Sequence, residues 1–302
     1  MDRTVTTVID TGRCIGCGLC VKVCPSGTIS MQGEKAVVSG DRSMSCGHCA
    51  AVCPADAIRV NAIDKESSRF ATFTVDDTWL PHGEYDTAQL VRLMDSRRSC
   101  RNYTDRPVNR VLLDDLVKIG ITAPSGTNSQ LWTFTLLPTR KAVLNLGDRV
   151  AAFFKKLNRM SEKRYLRYFL KLIGKPELDE YFCEYHNSVA EALTEWDNSG
   201  IDKLFHGATA AIVIGSKPEA SCPREDALLA TQNILLAAHS LGLGTCLIGF
   251  AVEAMKQDIT VKRFLGIPDD EKVYSVIALG YPDEKYQRMA GRKKYTQRYY
   301  EA

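Results

Sequence analysis

The sequence predicts two unequal domains, a short cysteine-rich module followed by a larger one in which helices and strands are mixed. Three observations carry this. At 302 residues the chain is at the size, about 250–300 residues, where single hydrophobic cores stop growing. Seven of its 11 cysteines fall between Cys14 and Cys53, inside a repeated segment. After residue 87 the apolar pattern changes, alternating between helical spacing and short runs behind glycine turns.

Composition excludes several classes. The balance of 39 Lys+Arg against 36 Asp+Glu leaves +3, too little to draw in nucleic acid or an anionic membrane. The N-terminal segment has no apolar signal region, so a reducing, cytoplasmic setting is expected rather than a secreted disulfide scaffold. The longest nearly apolar stretch, Ile234 to Val252, is interrupted by Gly242, Gly244 and Gly249. It reads as a buried helix ending at a glycine turn, not a membrane span.

In the first domain, placed at residues 1–64, Cys14-Ile-Gly-Cys17-Gly-Leu-Cys20-Val-Lys-Val-Cys24-Pro25 is echoed 29 residues later by Ser43-Met-Ser-Cys46-Gly-His-Cys49-Ala-Ala-Val-Cys53-Pro54. Thiolates are soft ligands, and triplets at x2 spacing followed by x3-Cys-Pro are the pattern of iron–sulfur ligation. Zinc sites also use Cys-x2-Cys pairs, but they separate two pairs by a dozen or more residues. The segment resembles bacterial ferredoxins that carry two 4Fe–4S clusters. That resemblance assigns Cys14, Cys17, Cys20 and Cys53 to one cluster, and Cys24, Cys46 and Cys49 to the other. Ser43 stands where the repeat expects a cysteine, so the second cluster lacks one thiolate. Its fourth iron is held by the Ser43 oxygen, by solvent or another residue, or is absent; a 4Fe–4S cluster with a non-cysteine fourth ligand is the expectation.

Residues 65–86 lose periodicity and read as a linker. From 87 onward, Leu90, Leu93 and Met94 share one helix face, and Asn109 caps a second helix carrying Leu112, Leu113, Leu116 and Val117. Between these helices lie Arg97, Arg98, Ser99 and Arg101, a compact donor set suited to a phosphate. About 25 residues later Pro124-Ser125-Gly126-Thr127-Asn128-Ser129-Gln130 forms a polar turn before the strand-like Thr133 to Leu137. Gly207 to Gly215 reads as a buried strand, Asp226 to Leu241 as a long helix, and Gly242 to Phe250 as a loop entering another strand.

The Arg-Arg-Ser loop, the polar turn, the glycine-rich loop and a late Ala278-Leu-Gly-Tyr-Pro282 segment occur in the order found in the FMN-dependent nitroreductase family, which residues 87–302 resemble. Leu131 departs from that family's usual proline. The resemblance implies an α+β fold, a mixed, largely antiparallel sheet flanked by helices, in a homodimer with FMN at the subunit interface. It implies FMN contacts from Arg97, Arg98, Ser99, Arg101 and Arg292, and backbone amides of Leu247, Ile248 and Gly249 beside the flavin ring. It also implies contacts from Pro124, Ser125, Asn128 and Gln130, in the same subunit or its partner. No side chain is assigned as catalytic.

Residues 151–200 form an inserted helical excursion. Phe153 to Lys175 carries eight Lys+Arg and one acid, while Glu177 to Asp197 carries seven acids and no Lys or Arg. An antiparallel hairpin with facing charges is expected, the alternative being a basic surface for an acidic donor or a membrane. In resembled enzymes this region covers the flavin, which makes Tyr165, Tyr168, Tyr181 and Tyr185 candidates to face substrate, although core packing is the commoner role for such residues. The expected function is an oxidoreductase passing electrons from a low-potential, ferredoxin-like donor through the clusters to FMN and on to a nitro compound, quinone or similar acceptor. Two alternatives stand beside it: an NAD(P)H-dependent enzyme whose clusters carry electrons outward, and a non-catalytic electron carrier or redox sensor.

Overall fold

A computed structural model of the chain describes residues 2–301. The first sixty residues contain β1 (Thr7–Ile9), α1 (Leu19–Val23), β2 (Ile29–Gln32), β3 (Lys35–Val38), α2 (His48–Ala51) and β4 (Ile58–Val60). β1 pairs antiparallel with β4, and β2 with β3, so each half of the repeat supplies one strand to each ribbon. Its core is small, built from Ile29, Ala36, Ala57, Ile58 and Val60 around the sulfurs of Cys14, Cys20 and Cys49. A domain this size rarely holds together on apolar burial alone, and bound metal is a usual staple.

The linker is docked. After a short 3-10 turn at Lys65–Ser68, the amides of Ala71 and Thr72 donate to the buried Asp115 carboxylate, and Lys118 Nζ donates to the Arg69 carbonyl at 2.6 Å. Asp115 and Lys118 both belong to the second domain's α4 (Arg110–Gly120), which is capped by Asn109 and preceded by α3 (Thr87–Ser96).

The remaining elements are β5 (Trp132–Leu137), α5 (Arg140–Ser161), α6 (Arg164–Leu172), α7 (Glu177–Glu184), α8 (His186–Ser199), β6 (Ala210–Ser216), α9 (Pro223–Ser240), β7 (Gly244–Leu247), α10 (Gly249–Gln257), α11 (Ile259–Phe264) and β8 (Lys272–Gly280). Four strands form one sheet in the order β5-β6-β8-β7, each neighbouring pair antiparallel. β6 is buried along its whole length because both faces are covered. Ala210, Ile212 and Ile214 face α4 and α9, while Ala211 and Val213 face α5 and α10. The fold is α+β, with the sheet held between two helical layers. Among the described residues no helix is long and apolar enough to cross a membrane.

Two sequence expectations are corrected. Gly242 to Phe250 does not lead into a strand: the strand is Gly244–Leu247 itself, and Gly249 opens helix α10. Apolar residues too few to fix a period left this boundary unreadable. The excursion is four helices rather than a two-helix hairpin, broken at Lys163, at Gly174–Pro176 and at Tyr185. The opposite charges do meet, Lys155 with Asp197 at 2.7 Å and Arg167 and Lys171 with Asp179 at 2.9 and 3.1 Å.

Candidate functional site

The repeat in sequence becomes a repeat in space. Cys14, Cys17, Cys20 and Cys53 line one cavity, and Cys24, Cys46 and Cys49 line a second together with Ser43 and Met44. The last cysteine of each run therefore crosses to the other half. Among the described residues no three His, Cys, Asp or Glu side chains converge as a single ion requires. Four sulfurs lining one cavity and three the other, each set drawn from both cysteine runs, fit polynuclear clusters.

Backbone amides point at these sulfurs. Ala36 N donates to Cys14 Sγ at 3.5 Å, Thr28 N to Cys24 Sγ at 3.3 Å and Ala57 N to Cys53 Sγ at 3.3 Å. Such bonds are among the determinants of cluster potential. Ser43 reproduces the geometry of Cys14. Ser45 N donates to Ser43 Oγ at 3.0 Å, and the amides of Ala36 and Gly16 lower the pKa of the Cys14 thiol. Gly16 (φ 72) and Ser45 (φ 50) share the left-handed backbone of this turn. A Cβ at Gly16 would collide with the Glu34 carbonyl, which explains glycine there.

In the second domain the arginine loop is clamped to β7. Ser99 and Thr245 form a parallel bridge, Cys100 N donates to the Thr245 carbonyl at 2.9 Å, and the Tyr103 hydroxyl donates to the Cys100 carbonyl at 2.9 Å. Gly244 permits the approach, since a Cβ there would lie 2.7 Å from Cys100 Sγ. Arg97, Arg98 and Arg292 are gathered together: partial burial and the charges of the other two push Arg97 below its ordinary pKa. Arg292 bonds Asp95 at 3.1 Å. Cations that repel one another, Arg97 and Arg98 partly buried and Arg292 exposed, fit an anion such as a flavin phosphate. Arg101 stands at the same loop, its amide on Glu284 Oε1 at 3.3 Å. Ile248 is buried, while Leu247 and Gly249 face outward.

The polar turn is strained and pinned. Thr127 (φ 52), Asn128 (φ 56) and Gln130 (φ 50) all adopt left-handed backbone, unusual for residues with a Cβ and costing roughly 1–3 kcal/mol each. The buried Asp226 holds them, accepting from Gly126 N at 2.8 Å and Ser129 Oγ at 3.2 Å. Ser125 Oγ accepts from Gln130 N at 3.1 Å, and Pro124 lies exposed at the turn's start. Asn128 Nδ2 donates to the Met44 carbonyl at 2.9 Å, and Gln130 Nε2 donates to Asn128 Oδ1 at 2.8 Å. The turn thus touches the second cysteine cavity.

Not every candidate residue comes together. Asp226 lies in the first turn of α9, whereas burial and the nearby charge of Arg97 lower the pKa of His239 in its last turn. Thirteen residues of helix span about 20 Å. Arg97, Arg98, Ser99, Arg101, Arg292 and the Leu247–Gly249 segment form one group, and Pro124 to Gln130 stands at the other end of α9.

Beside Leu247–Gly249, Phe250 packs edge-on to Phe154 at 5.3 Å and to Tyr185 at 6.0 Å. Burial raises the Tyr181 pKa to about 12, and its hydroxyl donates to Asn158 Oδ1 at 2.6 Å. Tyr165 and Tyr168 are instead 71% and 67% exposed, outside the core and outside this wall. Sequence reasoning missed Asp226, Phe250 and Met44. The first two carry weak signals, an acid in a helix's first turn and an aromatic after the glycine loop, and Met44 carries none.

The nitroreductase family profile matches residues 94–281, and the 4Fe-4S dicluster domain profile matches residues 13–71. The chain is 29% identical over 205 residues to a protein of Archaeoglobus fulgidus provisionally named NADH dehydrogenase/NAD(P)H nitroreductase, covering 65% of this chain and 88% of that one. It is 27% identical over 203 residues to a 4-nitrobenzoate reductase of Pseudomonas putida, covering 63% and 83%. An FMN-bound nitroreductase from Bacteroides fragilis superposes with a TM-score of 0.47 at 22% identity, over 69% of this chain and 99% of that one.

Proposed function

The chain belongs to the nitroreductase family and carries a 4Fe-4S dicluster domain ahead of it, and on that premise we propose that it passes electrons from a low-potential one-electron donor to FMN and on to a small electrophilic acceptor such as a nitro compound or quinone. The observation that carries this is the Asn128–Met44 hydrogen bond, which ties the wall of one cysteine cavity to a candidate flavin turn. When bound, the clusters supply one-electron transfer and the flavin stores two electrons and releases them as a hydride equivalent.

The protein's own part is binding and placement. Cys14, Cys17, Cys20 and Cys53 hold one cluster, and Cys24, Cys46 and Cys49 the other, with the Ser43 oxygen as its non-cysteine fourth ligand. Arg97, Arg98 and Arg292 neutralise the FMN phosphate, with Ser99 and Arg101 beside them. The amides of Leu247 and Gly249 hydrogen-bond the ring, whereas that of the expected Ile248 is already given to the Val276 carbonyl at 2.8 Å. Phe250, Phe154 and Tyr185 form an apolar wall that orients an aromatic acceptor and excludes water.

The protein works as a homodimer in this reading. Leu247 and Gly249 lie open at the surface, and Leu90, Val91, Met94, Leu228 and Leu229 are between 36% and 55% exposed, an apolar surface that a second copy covers. A second reading, reduction by NAD(P)H with the clusters carrying electrons outward, is favoured by the names of relatives. Anaerobic stopped-flow reduction by NADH, NADPH and reduced ferredoxin separates the two. Fast cluster and flavin bleaching with reduced ferredoxin alone supports the first, and bleaching by NAD(P)H alone overturns it.

A further inference from the structure

We propose that in the dimer each dicluster module faces the flavin held by the partner subunit, with the Ser43 cavity the nearer of its two. The inference rests on the homodimeric reading above. Met44 lines the Ser43 cavity, its carbonyl accepts from Asn128 Nδ2 at 2.9 Å, and Asn128 Oδ1 accepts from Gln130 Nε2 at 2.8 Å. Cavity wall and turn are therefore one hydrogen-bonded unit ending at the exposed Gln130.

This unit cannot reach the phosphate group of its own chain. Asp226 holds the turn at the start of α9 and next to β5, while the Ser99–Thr245 bridge holds the arginine loop to β7, at the opposite edge of the sheet and just past the end of α9, about 20 Å along the helix. The Asp115 and Lys118 contacts to residues 69–72 keep the module from swinging across. Leu228 and Leu229, 42% and 45% exposed, lie on α9 within one turn of Asp226, beside the same turn. A two-fold contact that seats them on the exposed α3 face of a second copy, where Leu90, Val91 and Met94 stand just before Arg97, brings the turn of one protomer to the arginine loop of the other.

The other cavity has the exposed Cys17 and Ile15 in its wall. A reduced one-electron carrier gives up one electron there per encounter. Two encounters and two solvent protons balance each two-electron reduction of an acceptor.

Cross-linking tests the placement independently of turnover. The full, cofactor-loaded chain carrying both Gln130→Cys and Leu247→Cys is treated with a short bis-maleimide. A two-chain covalent product absent from either single variant is expected; an intrachain link, or no link, overturns the proposal. Light scattering on the same sample separates the failures: a monomer overturns the homodimeric reading and this inference with it, and a dimer with intrachain links overturns this inference alone.

Mixed dimers give a second measure. One chain carries Cys46→Ser and Cys49→Ser, and the other carries Arg97→Ala and Arg98→Ala. FMN then resides on the cluster-deficient chain, opposite an intact module. Single-turnover flavin bleaching by reduced ferredoxin within threefold of the wild-type rate is expected, and a loss of tenfold or more overturns the proposal.

Discussion

The carboxylate of Asp115 holds Thr72, accepting its amide at 2.7 Å and its hydroxyl at 2.6 Å. Burial opposes ionisation of Asp115, but the bonds from Thr72 and Ala71 outweigh it and hold its pKa below the ordinary 3.8. Hydrogen bonds to a charged group contribute about 1.5–3 kcal/mol each, so Asp115→Asn is expected to free the linker. Limited proteolysis between residues 65 and 80 should accelerate in the variant. Because the folded pKa is depressed, this contribution is complete above the unfolded value and is lost as pH falls through the lower folded one. Wild-type protein should therefore acquire the variant's protease sensitivity only below about pH 4, and sensitivity equal to wild type at pH 7 would falsify the anchor.

Arg97→Ala should weaken FMN retention about tenfold or more, since charge-assisted hydrogen bonds to a phosphate are worth roughly 1.5–3 kcal/mol. Arg292→Ala should act in the same direction but less, because its side chain is 57% exposed and already paired with Asp95. Fluorescence titration of the apoprotein with FMN measures both. Affinity unchanged in Arg97→Ala removes that residue from the phosphate site.

Ser43→Cys should alter one cluster only. Alkoxide is a harder ligand than thiolate, and the ligand set is one determinant of potential. Iron and sulfide analysis of the anaerobically reconstituted wild type should find nearly eight irons per chain. Electron paramagnetic resonance of the variant should show one shifted signal and one unchanged. Four irons per wild-type chain excludes a second cluster, and two signals indifferent to the substitution exclude Ser43 as its ligand.

Light scattering on the holoprotein should give about twice the 33.5 kDa chain mass. Leu228→Glu combined with Leu229→Glu places charge on the bare face of α9 and should shift the species toward monomer with loss of FMN. A monomer that keeps its FMN is the contrary result.

Phe250→Ala opens the aromatic wall without touching the arginine group. Its expected effect is a several-fold rise in KM for aromatic acceptors with FMN affinity unchanged. Tyr181→Phe, which removes the hydroxyl bonded to Asn158, should cost about 0.5–1.5 kcal/mol in stability and leave KM alone. Thermal unfolding and steady-state kinetics on the two variants distinguish a wall that meets substrate from one that only packs.

Features written in contiguous residues can be read without the fold. The 29-residue repeat carried the resemblance to two-cluster ferredoxins, and that resemblance assigned each cysteine to the set with which it lines a cavity. The Arg97–Arg101 loop, the Asn109 cap and the buried strand within Gly207 to Gly215 were legible because each is a local pattern, although the strand itself runs Ala210–Ser216. Which loops share a site is set by long-range packing. Met44 and Asn128 are 84 residues apart, and nothing near either one marks the other. Gly126 meets Asp226 across 100 residues, and that contact, with the length of α9, separates the polar turn from Arg97. Such distances depend on how helices pack on a sheet, a collective outcome of burial that local spacing does not encode.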